Sequence, residues 1–100
     1  MKPKQQQIAI AKACGWTYDK NETHAPDKAF WWSEKPDFPD YLHDLNAMHK
    51  AEKIISDVFV RRRYYQHLDA ITGDQWNTIV ATAAQRAEAF LRTLGLWDNN

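Results

Sequence analysis

The sequence predicts an α+β domain: a small antiparallel sheet, made of an aromatic hairpin and a candidate third strand, packed with about four amphipathic helices. Three observations carry this prediction. Two aromatic, β-prone runs flank a polar loop between Trp16 and Trp32. Later stretches repeat apolar residues every three or four positions. The chain of 100 residues is 44% hydrophobic and 13% aromatic, which supplies apolar surface for one core but leaves no length for two. Residues 1–100 therefore read as a single domain.

Between Lys4 and Cys14, the residues Ile8, Ala9, Ala13 and Cys14, with Ala11 more weakly, mark a short helix. Gly15 closes it, because glycine takes the positive φ that ends many helices. Trp16-Thr17-Tyr18 and Ala29-Phe30-Trp31-Trp32 then stand on either side of a polar loop, the pattern of a hairpin. Ser33 to Tyr41 holds Pro36 and Pro39 and reads as an ordered loop, since proline bars its predecessor from helix.

Asp44 is placed to cap a second helix, in which Leu45, Ala47, Met48, Ala51, Ile54 and Ile55 recur at helical spacing. Ser56-Asp57 can cap a third, running to about Ile71. At about 100° per residue, Val58, Val60, Tyr64, Tyr65, Leu68 and Ile71 fill one arc, and Arg62, Arg63, Gln66, His67 and Asp69 the other. Arg61 is the misfit, because it falls inside the apolar arc. Asp57 is in reach to pair with it.

Thr72-Gly73-Asp74 breaks the pattern, and Gln75–Val80 reads as a third strand or an irregular segment. Thr82 and Gln85 then have the spacing of a capping box. Ala83, Ala87, Phe90, Leu91 and Leu94 form the inner stripe of the last helix, with Glu88 and Arg92 paired outside. Gly95 ends it, and Leu96 folds back in a Schellman-type contact.

Thirteen basic and thirteen acidic side chains balance, which argues against a protein that grips nucleic acid mainly through phosphates. The same balance removes one barrier to self-association, so a homo-oligomer is compatible with it. Cys14 is the only cysteine, and no apolar run approaches the ~20 residues of a membrane span. The expected address is the cytoplasm, without a membrane partner.

Two long blocks carry a resemblance. Phe38-Pro39-Asp40-Tyr41-Leu42-His43-Asp44-Leu45-Asn46-Ala47-Met48-His49-Lys50-Ala51-Glu52-Lys53 resembles a block in small tailed-phage and prophage proteins. Ala81-Thr82-Ala83-Ala84-Gln85-Arg86-Ala87-Glu88-Ala89-Phe90-Leu91-Arg92-Thr93-Leu94-Gly95-Leu96-Trp97 resembles a second, and Cys14-Gly15-Trp16 fits the same pattern. These proteins look like relatives of the group described as a phage ABA-sandwich domain. The resemblance covers roughly half the chain and implies a phage gene product with a sheet between helices. It carries over no catalytic residue.

No constellation announces a reaction. His43 and His49 are six apart, not at the spacing of helical zinc ligands, and the set Asp40, His43 and Asp44 reads equally well as a helix cap. Cys14 sits on the inner side of a helix, as a structural thiol does, and Ser33 and Ser56 lie in no nucleophile elbow. With glycine only at 15, 73 and 95 there is no phosphate-cradling loop. No cofactor and no metal is expected.

Arg61-Arg62-Arg63-Tyr64-Tyr65 is the most suggestive run, because arginine beside aromatic rings serves phosphate, bases and protein hot spots. On a helix, three successive arginines fan over about 200°, so a solvated face, an anion contact and a protein interface all stay open. Trp31 and Trp32 point to opposite faces of a strand. Both are core if helices cover both faces, and one is a contact if they do not.

The expectation is a non-enzymatic phage accessory protein that binds a host or phage protein, with a counter-defence inhibitor as one form. The candidate contacts are Arg61, Arg62, Arg63, Tyr64, Tyr65, Trp31 and Trp32. The alternatives are an oligomeric protein sequestering a nucleotide-like small molecule, and a single-stranded nucleic-acid binder.

Overall fold

Helix α4 (Ala83–Thr93) is the element on which the others converge. The computed structural model describes residues 1–15, 38–74 and 79–98. Around α4 stand α1 (Pro3–Ala13), α2 (Leu45–Glu52) and α3 (Val58–Thr72), with α3 making the most extensive contact.

The termini of α4 follow from local chemistry. Thr82 Oγ1 accepts from the Gln85 amide at 3.2 Å, and Gln85 Oε1 accepts from the Thr82 amide at 2.9 Å. Two donors that an N-terminus would leave unsatisfied are thus paired reciprocally. At the other end Gly95 takes φ 72°, which lets its N–H reach the Arg92 carbonyl and the Leu96 N–H reach the Leu91 carbonyl at 2.8 Å. That pair of bonds is a Schellman motif. Between the caps, Ala83, Ala87 and Ala89 keep the buried surface of the helix shallow, so neighbours approach closely around Phe90 and Leu91.

Asp57 caps α3 by accepting from the Phe59 and Val60 amides at 2.8 and 3.3 Å. The helix buries Tyr64 and Leu68 and stops at Gly73, whose φ of 101° belongs to the left-handed region. Asp44 caps α2 through the Asn46 amide, and α2 buries Ala47, Met48 and Ala51. The apolar spacing of α2 continues to Ile55, but its helix ends at Glu52. Tighter three-residue turns follow, which bury Ile55 and leave Ile54 exposed.

Helix α1 contributes Ile10 and Ala11 to the same core, and its Gln7 ties it to the segment before α2. Gln7 Oε1 accepts from the Tyr41 amide at 2.8 Å, while Gln7 Nε2 donates to Asp40 at 2.7 Å. One apolar cluster joins the described helices. Phe90, Ile10, Met48, Leu68 and Leu91 are its largest fully buried side chains, each contributing roughly 1.5–3 kcal/mol by leaving water.

This architecture corrects the predicted fold class. Among the described residues there are four helices and no strand, so that part of the protein is all-helical rather than α+β, and it is not an ABA sandwich. The physical reason is that the apolar stripes of α1, α2 and α3 find their cover on α4, so no sheet is required to close them. The hairpin expected from Trp16 to Trp32 lies outside the described residues. Of the candidate third strand, residues 75–78 also lie outside them, and Ile79 and Val80 take helical and turn geometry.

Candidate functional site

Three helices meet at one polar knot. Glu52 ends α2, Tyr64 sits midway along α3, and Arg86 lies in the first turns of α4. The Tyr64 hydroxyl donates to Glu52 Oε2 at 2.8 Å, and Arg86 donates to the same oxygen at 3.2 Å. Arg86 also reaches the Ala81 carbonyl through Nε. Burial pushes the Tyr64 phenol well above the usual tyrosine range. The adjacent Glu52 charge adds to that effect, and Arg86 only partly offsets it. Tyr64 is therefore a protonated donor fixed on a carboxylate.

The second oxygen of Glu52 is buried and makes no well-oriented hydrogen bond. His49 Nδ1 lies 3.1 Å from it and forms an ion pair with it when the imidazole is protonated.

A cleft of about 230 Å³ opens beside this knot, between the end of α2 and the first turns of α3. His49, Glu52, Lys53, Arg61, Tyr64 and Tyr65 line it, with Ile55 at its base. Arg61 is held there because its Nε donates to the Ile55 carbonyl at 2.7 Å. This explains how a cation occupies the inward arc of α3: it satisfies a backbone acceptor at the α2–α3 corner. The expected pairing with Asp57 does not form: Asp57 Oδ1 caps the helix, and the Arg61 guanidinium is held on the Ile55 carbonyl instead.

The outer face of α3 differs in character. Val58 is 72% exposed and Phe59 76%, with Tyr65 half-exposed beside them. Arg62 and Arg63 are exposed, and neither has an acidic partner among the described residues. The predicted run Arg61–Tyr65 is thus split three ways. Arg61 turns into the cleft, Tyr64 into the core, and Arg62 and Arg63 toward solvent, with Tyr65 on the rim. Trp31 and Trp32 lie outside the described residues.

The other candidate clusters resolve into local structure. His43 pairs with Asp40 at 3.0 Å, and Asp44 is spent on its cap. Among the described residues no three of His, Cys, Asp and Glu converge as a metal site. Burial raises the Cys14 thiol, which a hydrogen bond with Tyr41 offsets only in part. Sequence reasoning weighed His49 only as a zinc ligand and did not pick out Glu52 or Arg86. The one usable signal was the misplacement of Arg61.

The chain matches no known protein-family model, no curated protein and no solved structure. Among the described residues no helix is long and apolar enough to cross a membrane. Chemically, the described site offers fixed cations, a protonated phenol and exposed apolar rings.

Proposed function

We propose that the chain is a non-enzymatic docking protein that binds another protein through the outer face of α3. The observation that carries this reading is the exposure of Val58 and Phe59, 72% and 76%, in the first turn of the helix. A single exposed apolar residue is ordinary on any surface. Two adjacent large ones beside exposed Arg62, Arg63 and Tyr65 combine an apolar anchor with the residue types that dominate interface hot spots.

Arg62 and Arg63, without an acidic partner among the described residues, select a partner with an apolar patch rimmed by acidic side chains. The phage-type blocks at 38–53 and 81–97 make a host or phage protein the partner to seek, with inhibition of a host defence protein as one outcome. The test compares capture from host lysate by the natural chain and by V58S/F59S, followed by rebinding with the purified captured protein. Loss of that protein with the variant, at unchanged helical content, supports the reading. Retention by both proteins alike counts against it.

A further inference from the structure

We propose that the cleft between the end of α2 and the start of α3 is a binding site for a compact phosphate-type anion, held by Lys53 and Arg61. The site rests on Lys53 and Arg61 rather than on the docking face, with which it shares only Tyr65 at its rim.

Charge is the first argument. Lys53 and Arg61 line the cleft together with one carboxylate, Glu52, and Arg86, from outside the lining, already neutralises that carboxylate at 3.2 Å. The charge left over belongs to Lys53 and Arg61. Lys53 has no acidic partner among the described residues, and Arg61 has none either. The nearby Asp57 carboxylate keeps its charge at the α3 cap but forms no ion pair with Lys53 or Arg61, so both cations stay available to a ligand.

Preorganisation is the second. The Nε of Arg61 is tethered to the Ile55 carbonyl at 2.7 Å, which fixes the guanidinium while its terminal amino groups remain available. Less side-chain entropy is then lost when an oxyanion docks. Lys53 supplies a compact positive charge to the same cleft.

Size and lining give the class. A cleft of about 230 Å³ is small for a drug-sized ligand but suits a single oxyanion group. A doubly charged phosphate satisfies two cations, where a carboxylate satisfies one. Tyr65, half-exposed at the rim, offers a ring face to whatever the phosphate is attached to.

The experiment follows backbone amide shifts of the full chain during titration with inorganic phosphate and, separately, a nucleoside monophosphate, against chloride at constant ionic strength. Saturable shifts are expected at Lys53, Ile55, Arg61 and Tyr65. K53A and R61A each weaken binding by roughly tenfold, the worth of one charge-assisted contact, and R63A leaves it unchanged. K53A carries the test even where R61A disturbs the corner, because Lys53 is exposed and engages no acidic group among the described residues. Tighter binding of the monophosphate identifies a phosphate ester as the ligand, and equal binding identifies the free anion. Shifts that never saturate, shifts centred on Arg62 and Arg63, or equal affinity in K53A overturn the proposal.

Discussion

Arg86 and Glu52 are 34 positions apart in the chain, yet they meet at 3.2 Å with side chains only 12% and 15% exposed. With the Tyr64 hydroxyl on the same oxygen, the contact ties α2, α3 and α4 at a single atom. Replacing Arg86 by alanine strands a carboxylate away from water. The expected loss is about 2 kcal/mol, below the 3–5 typical of a fully buried pair because both groups keep some solvent. E52Q keeps one amide oxygen that can accept from both donors, though it removes the countercharge of Arg86, and should lose less. Urea midpoints at unchanged m-value measure both effects. An R86A protein as stable as the natural chain contradicts this account.

Tyr64 gives the protein an alkaline limit. Its phenol is raised in the folded state above the ordinary value of 10.0, so the folded chain holds that proton more tightly than the unfolded one. The stabilisation is complete below about pH 10 and is lost as pH climbs further, when the unfolded tyrosine ionises and Tyr64 does not. Tyr64→Phe removes this contribution. Its urea midpoint should therefore fall less steeply with pH above 10 than that of the natural chain, and parallel slopes would contradict the assignment.

Thr82→Ala removes the Oγ1 acceptor of the Gln85 amide, leaving only the backbone half of the capping box, and should cost about 1 kcal/mol, whereas Thr82→Ser should keep most of it. In a domain of this size the alanine variant then melts roughly 4–8 °C lower. Differential scanning calorimetry distinguishes the two substitutions.

Phe59 and Phe90 make a matched pair of opposites, one 76% exposed and the other fully buried. Phe90→Ala should cost about 3–5 kcal/mol, the loss of a large core side chain and the void it leaves. Phe59→Ser should stay within about 0.5 kcal/mol of the natural chain. A destabilised F59S would mean that Phe59 serves the core and would weaken the docking reading.

Much of the helical framework was legible because its signals are local. The Thr82–Gln85 spacing, Gly95 and the alanine stripe sit within one helix, and α4 forms as they dictate. Asp44 and Asp57 cap as their positions imply. The Glu88–Arg92 pair forms at 3.1 Å, one turn apart. The polar knot was not legible, since no periodicity links Glu52 to Arg86 across 34 positions. Arg61 stood out as a misfit, but its partner is a backbone carbonyl whose place depends on how the turn after α2 is wound. Reading Arg61 to Tyr65 as one contact run failed for a simple reason: neighbours on a helix point about 100° apart, so Tyr64 goes inward and Tyr65 does not. The α+β expectation rested on aromatic propensity at residues 16–32, whereas the described helices close on one another.

The position of α4 along the chain also has a consequence for biosynthesis. A ribosome releases α1, α2 and α3 before the helix against which each of them is packed. Until residues 83–93 emerge, Ile10, Met48 and Leu68 lack the surface that shelters them in the finished protein. The nascent chain must therefore pass through a sticky, open stage that ends only when this late helix arrives. Chaperone demand during translation should peak over that interval.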